Sequence, residues 1–323
     1  MNNFLIVNDL LISIQIIKLV ISMYYFDLRH NVKEQRRKVK SSSSLNAFYY
    51  IQRLKHFAEN KNNLNEEVEY KNSGNMPSWV NDNPKNFWAA ADKYERGGMR
   101  TSSHITIALP SELNKSQRIE LVENLVQAFT GEFELPHSYS IHNHKATLDG
   151  DQDQPHLHLI YSERTSIDQI DRPADQFFNQ YRPKNPEQGG AQKITADLLG
   201  QGRQQIMIYR RLAEKIINES LEKYAPRKFV EIRGLNLEVP NVVSCLSNED
   251  YNQQFGTQLK PVPQIPRWML HSADPIIQLD LKPLVEKVKQ IRQENTFEMY
   301  KPYYFAAELN KRKKLENNNN FSM

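Results

Sequence analysis

The sequence predicts an α+β fold in which a mainly antiparallel sheet packs with helices, followed by an irregular or helical C-terminal extension. Three observations carry that expectation. Residues 102–109, 137–144 and 157–163 alternate apolar and polar side chains with a period of two, as half-buried strands do. Between the first two runs lies an amphipathic helix, opened by the capping-box pattern Asn114-Lys115-Ser116-Gln117 and striped by Ile119, Val122, Leu125, Val126 and Phe129. A long helix follows over 201–224, with Ile206, Tyr209, Leu212, Ile216 and Leu221 near helical spacing. Strand, helix, strand, strand, helix is an order that mixes layers without a regular parallel repeat.

Each element has a local reason. Residues 4–21 are rich in Ile and Leu but broken by Asn8, Asp9, Gln15 and Lys18. A spanning helix wants about 20 predominantly apolar residues, and a secretory signal wants a positive start and a small-residue cleavage site. Neither pattern is met, so no stable membrane insertion is expected. The preferred reading takes Met23 as the true start and 1–22 as an extension; a genuine amphipathic helix is the alternative. Residues 24–28 read as a first strand and 29–40 as a basic polar stretch. The serine run 41–44 suits a helix N-cap, and the helix behind it carries Ala47, Tyr49 and Tyr50. Residues 59–78 read as a loop, and 87–95 as a short helix with an aromatic side. In the three strands Ile105, Ile107, Leu109, Tyr139, Ile141, Leu157, Leu159 and Tyr161 point to the core. His104, Thr106, Ser140, His142, His156, His158 and Ile160 point the other way. Residues 240–266 read as irregular, 283–298 as a polar helix, and the chain from Lys311 as a disordered tail. The organisation expected is therefore an extension over 1–22, a main domain over 23–224 and a C-terminal extension over 225–323.

Composition narrows the function classes. The net charge is only +4, so any basic partner surface is local. The solitary Cys245 excludes an internal disulfide framework and a cysteine-based zinc finger. It fits a reducing cytoplasm, the expected location.

Three histidines carry the chemistry. His156 and His158 form a His-X-His pair, which puts both imidazoles on one face of a strand. His142, on a neighbouring strand, completes a three-nitrogen set with open positions for substrate. A lone His-X-His more often faces solvent; the third histidine on the same face raises the odds. His144 shares parity with His142 but sits at the strand end and ranks below it. The acidic run Asp149, Asp151, Asp153 reads first as a solvated hairpin. Pro155 fixes the strand entry.

Several blocks, in order, resemble the MobA/MobL family of plasmid mobilisation relaxases, within the histidine-rich HUH endonucleases. They are Tyr50-Ile51-Gln52-Arg53; Ser73-Gly74-Asn75-Met76-Pro77; the run from Trp88 to Arg96; Ala108-Leu109-Pro110; Ser140-Ile141-His142; Pro155 to Arg164; Arg172-Pro173-Ala174; and Gly189-Gly190-Ala191-Gln192-Lys193. The resemblance covers roughly residues 23 to 224 and makes that segment a nicking domain. It implies site- and strand-specific nicking and rejoining of single-stranded DNA at a plasmid transfer origin, through a tyrosine that stays joined to the 5′ end. The nucleophile maps to Tyr50, with Tyr49 as the rival. A free tyrosine has a pKa of about 10, so the phenol must be activated or the phosphate polarised. A metal held by His142, His156 and His158 does the latter as a Lewis acid. The resemblance implies Mg²⁺ or Mn²⁺; imidazoles alone favour softer ions such as Zn²⁺. Relatives tend to carry glutamates where this chain has His104 and Thr106. His104 is either an auxiliary ligand or proton acceptor in place of a carboxylate, or a core or surface histidine without such a role. DNA phosphate contacts fall to Arg36, Arg37, Arg164, Arg172, Arg182, Lys184 and Lys193, and the N–H groups of Gly189 and Gly190 either face a phosphate or form a turn. Accessory relaxosome proteins and a secretion coupling protein are the further partners implied. A rolling-circle replication initiator, a metal oxygenase and a DNA-binding remnant without activity are the competing readings.

Overall fold

The computed structural model describes residues 22–23, 25–33, 43–59, 66–145, 153–270 and 272–320. Arg36, Arg37, Asp149, Asp151 and the N-terminal extension up to residue 21 lie outside the described residues. In chain order the elements are β1 Ser22–Met23, β2 Phe26–Val32, α1 Ser44–Ile51, α2 His56–Glu59, β3 Glu66–Gly74, α3 Pro84–Tyr94, β4 Arg100–Ala108, α4 Lys115–Thr130, β5 His137–Lys145, β6 Asp153–Tyr161, α5 Ala174–Phe177, α6 Gln205–Tyr224, β7 Arg227–Ile232, β8 Leu235–Pro240, β9 Val243–Ser244, α7 Asn248–Phe255, α8 Arg267–Leu270 and α9 Pro275–Asn320. The chain divides into two compact units, Tyr24–Ser220 and one that holds the chain from Leu221 onward with the strand Ser22–Met23.

The first unit is built on a five-stranded sheet of order β2-β4-β6-β5-β3, antiparallel at every pairing. The expected α+β class is what forms. Ile105, Ile107, Tyr139, Ile141, Leu157, Leu159 and Tyr161 are all buried on one face. α4 lies against β5 and β6, with Leu121, Val122, Leu125, Val126 and Phe129 buried. Its capping box is complete: the Asn114 side chain accepts from the Gln117 N–H, and the Gln117 side chain accepts from the Asn114 N–H. On the other face α1 covers part of β5 and β6 and α3 lies on β4. There Phe48, Tyr49, Ile51, Phe87, Trp88, Ile160, Phe177 and Phe178 form one buried cluster. Full burial of side chains of this size is worth roughly 1.5–3 kcal/mol each, so the cluster fixes α1 against the sheet.

Several expectations are corrected. Residues 66–74, read as part of a loop, are the edge strand β3. The first strand begins at Phe26 and runs on to Val32, taking in Arg29 from the supposed basic stretch. α6 starts at Gln205 and buries Ala213, Ile217 and Leu221, leaving Ile206 at 49% exposure; the apolar stripe is rotated from the one expected.

In the second unit β7 and β8 form a hairpin closed by Arg233 and Gly234, both at positive φ (50° and 78°), the geometry of a two-residue primed turn. Ile232, Leu237 and Val239 pack with Tyr300 of α9. β1 pairs in parallel with β9. The polar helix expected over 283–298 is longer, and the tail from Lys311, expected to be disordered, continues α9 to Asn320. Among the described residues no helix is long and apolar enough to cross a membrane.

Candidate active site

The three histidines converge. β5 and β6 set His142 directly across from His156, and β6 returns two residues later with His158. Ring centroids lie 5.6 Å apart for His142 and His156, and 4.8 Å for His158 with each of the others. One ligand atom from each falls within 4.8 Å of the rest. The far nitrogen of each ring is engaged. His142 Nε2 lies 2.7 Å from the Ile51 carbonyl and 3.1 Å from Ser140 Oγ, while its Nδ1 faces the Glu66 carboxylate. His156 Nδ1 donates to the Gln154 carbonyl at 3.0 Å, freeing Nε2. His158 Nδ1 faces His104 Nε2 at 3.1 Å and Thr106 Oγ1 at 3.3 Å, while its Nε2 is buried with no hydrogen-bond partner. Ligating imidazoles are commonly held in this way through their second nitrogen.

Electrostatics agree with the geometry. Burial pushes the pKa of His142 down to about 3 and that of His104 to about 4. The same desolvation lowers His156 and takes His158 well below its ordinary value. Burial disfavours the charged form of all four imidazoles, and three of them converge closely enough that they could hold a divalent cation. His104 stands behind His158 and is not one of the three converging ligands. His144, with its ring 5.2 Å from that of His156, is also outside the set.

A carboxylate completes the cluster. Glu66 Oε1 lies 3.1 Å from His142 Nδ1 and 3.4 Å from His156 Nε2. It comes from β3, so the strand read as a loop hid a site residue. Arg53 pairs with Glu66 and brings Nη2 to 3.2 Å from His142 Nδ1. The Tyr50 ring, half-buried, sits 6.2 Å from that of His142 and 5.4 Å from that of His158. Tyr49, 4% exposed, turns into the core cluster beside Phe48. Successive helical side chains diverge by about 100°, which puts Tyr50 on the histidines and its neighbour in the core.

The predicted phosphate contacts fare unevenly. Arg164 is 3% exposed, forked onto Glu95 at 2.8 and 2.9 Å, and donates to the carbonyls of Phe178, Asn179 and Ala191. Arg172 is 2% exposed and bonds Asp168 and the carbonyls of Pro186 and Gly189. Lys193 donates to the Arg100 carbonyl at 2.7 Å and lies 3.4 Å from Glu95; burial lowers its pKa. Burial pushes the Glu95 carboxyl up, but Arg164 and Lys193 together hold it below its ordinary value. Arg164 and Arg172 are thus buried and spend their donors on protein acceptors, and Lys193 is partly buried with its amine on the Arg100 carbonyl. Gly189 and Gly190 are likewise buried, with their N–H groups given to Pro186 and Gln180. A Cβ on Gly190 would collide with the Asn179 backbone oxygen. Arg182 and Lys184 are exposed.

An antiparallel sheet thus gathers three histidines that could hold a metal ion, and a carboxylate, beside a helix-borne tyrosine. Residues 45–238 match the model of the MobA/MobL family, and the chain belongs to that family. It is 35% identical over 201 residues to a 43 kDa relaxation protein of Salmonella typhimurium, a match covering 62% of this chain and 52% of that one. It is 41% identical over 147 residues to mobilization protein A of Escherichia coli, covering 46% of this chain and 19% of that one. The matches thus span about half or less of these relatives' lengths. Among solved structures, one from work on the molecular basis of vancomycin resistance transfer in Staphylococcus aureus aligns with a TM-score of 0.42 and 18% identity, over 63% of this chain and 95% of that one. The conjugative relaxase TrwC, in a metal-bound complex with oriT DNA, aligns at 0.34 and 10%, over 83% and 98%.

Proposed function

We propose that the chain is a relaxase that nicks and rejoins one DNA strand at a plasmid transfer origin, with Tyr50 as nucleophile. The observation that carries this reading is the Tyr50 ring lying against two of three converging, neutral histidines in a member of the MobA/MobL family. The Tyr50 oxygen attacks the scissile phosphorus. An O–P bond to tyrosine forms, the P–O3′ bond breaks, the phenol loses its proton and the 3′ oxygen gains one. The 5′-phosphotyrosine conserves the phosphodiester for rejoining.

A divalent cation held by His142, His156 and His158 would supply Lewis-acid polarisation of the phosphate. Glu66 brings a hard oxygen to the donor set, which supports Mg²⁺ or Mn²⁺ over the softer ions that imidazoles alone prefer. His104 and Thr106 orient His158. Arg182 and Lys184 are the exposed cations available to the DNA backbone, and Arg36 and Arg37 remain proposals outside the described residues. A cytoplasmic location, accessory relaxosome proteins and a coupling protein belong to the same proposal.

The test is incubation with labelled single-stranded DNA tiled across the plasmid's intergenic region, with Mg²⁺ or Mn²⁺, read on a denaturing protein gel. A covalent adduct lost in Tyr50→Phe and kept in Tyr49→Phe is expected. An adduct that survives Tyr50→Phe, or tight DNA binding without any adduct, would overturn the assignment.

A further inference from the structure

The turn that ends α1 carries a charged group where helices usually place glycine. Arg53 has φ +51°. Its N–H donates to the Tyr50 carbonyl at 3.2 Å, and the Leu54 N–H donates to the Tyr49 carbonyl at 2.9 Å. These are the two bonds of a Schellman cap, with Arg53 at the left-handed position that favours glycine. A side chain in that conformation is strained, and such strain gathers at functional sites.

The conformation folds the arginine back over the helix end. Arg53 Nη1 donates to the Tyr50 carbonyl at 3.3 Å, and the guanidinium carbon lies 4.6 Å from the centre of the Tyr50 ring. Nη2 pairs with Glu66 and approaches His142 Nδ1. Nε is buried without a hydrogen-bond partner. Burial pushes the guanidinium's pKa down, and the charge and hydrogen bonding of the Tyr50 phenol pull it back up. One cation therefore touches the tyrosine, the carboxylate and a histidine, and keeps one buried donor unspent.

We propose that Arg53 is a catalytic residue of the nicking reaction, which steadies the Tyr50 oxygen as its proton leaves and offers its free donor to a non-bridging oxygen of the scissile phosphate. The inference rests on the reading of Tyr50 as nucleophile. Guanidinium suits both tasks: it stays protonated throughout, and its planar fork matches phosphate oxygens. It donates no proton and takes none. Charge in a site shielded from water acts more strongly than in solution and needs no reorganisation when the reaction occurs. The strained φ is explained by the same role, because a glycine there would relax the cap and remove the cation.

That trade supplies the experiment. Wild type, Arg53→Gly, Arg53→Ala and Lys55→Gly are compared in thermal melts, single-stranded DNA binding and the rate of covalent adduct formation. Lys55 also has positive φ (54°) but lies over Tyr49. Arg53→Gly is expected to melt at or above Arg53→Ala, to bind DNA within tenfold of wild type, and to form adduct about 100-fold more slowly, the scale of losing one preorganised charge-stabilising donor. Lys55→Gly is expected to keep the wild-type rate. Adduct formation by Arg53→Gly within threefold of wild type would overturn the proposal while leaving Tyr50 intact. An equal loss in Lys55→Gly would reduce the effect to the turn itself and also overturn it. Failure of wild type to form any adduct would remove the nucleophile reading on which it rests.

Discussion

At the scale of single residues, the site is a set of imidazoles kept neutral by burial, and two consequences follow. The first concerns His104, which meets His158 Nδ1 at 3.1 Å and, in the proposed metal centre, would act on a ligand from behind. Losing a partner of this kind typically costs 10–100-fold in metal affinity. His104→Ala is expected to weaken Mn²⁺ binding by about that factor in calorimetry, and an unchanged affinity would show that Thr106 alone orients the ring. The second concerns pH. Unfolded histidines take up protons near 6.5, whereas folded His142 and His104 resist them down to about 3 and 4. His156, His158, His30 and His137 are held down by the same desolvation. Between these limits the unfolded chain binds more protons, so stability rises with pH. The contribution is fully present above about 6.5 and is lost as the pH falls toward 4. Metal-free protein is expected to melt at a constant temperature above pH 7 and progressively lower from 6.5 to 5, a window above the carboxylate range. The slope is expected to be shallower in His142→Gln, and a flat profile would contradict burial of neutral rings.

At the scale of elements, the difference between exposed and buried cations separates side chains that hold the fold from those that the proposed function offers to DNA. Arg164 and Glu95 form a buried pair, and removing one partner of such a pair costs about 3–5 kcal/mol. Glu95→Gln is expected to lose about that much in urea unfolding. Arg182→Ala and Lys184→Ala are expected to leave stability unchanged and to lower the salt slope of single-stranded DNA binding by about 0.7 each. An Arg164 variant that alters the salt slope without destabilising the fold would reverse this division. The sequence could not make the distinction, because an arginine looks the same whether it reaches solvent or threads between carbonyls. It was more explicit elsewhere. The alternation in β4, β5 and β6 put His142, His156 and His158 on one face, and the Asn114–Gln117 pattern marked the start of α4. β3 was hidden for a physical reason. It is an edge strand of Glu, Lys, Asn and Ser, as edges that resist aggregation often are, and a register shift between Val68 and Tyr70 breaks its alternation. Glu69 is buried because Arg118 of α4 pairs with it, a contact no local pattern announces. Glu66 was missed with the strand that carries it.

At the scale of the whole molecule, each of the two compact units has buried clusters of its own among the described residues. Tyr24–Ser220 contains the sheet, the histidines and Tyr50; the unit from Leu221 onward rests on the β7–β8 hairpin and Tyr300 of α9. A ligand that binds only the folded state stabilises it by RT ln(1 + [L]/Kd), about 2.7 kcal/mol at a hundredfold excess over Kd. The ligand atoms of the proposed centre all come from β5 and β6, with Glu66 from β3. Mn²⁺ is therefore expected to raise hydrogen-exchange protection of the amides in β3, β4, β5 and β6. Leu237→Ala, which removes a buried side chain from the other core at a typical cost of 2–5 kcal/mol, is expected to lower protection in β7, β8 and the Tyr300 region of α9. Neither change should carry over: Mn²⁺ binding by Leu237→Ala is expected to match wild type, and Mn²⁺ is expected to leave the hairpin amides unchanged. A loss of Mn²⁺ affinity in Leu237→Ala would instead show that the second core takes part in building the metal centre.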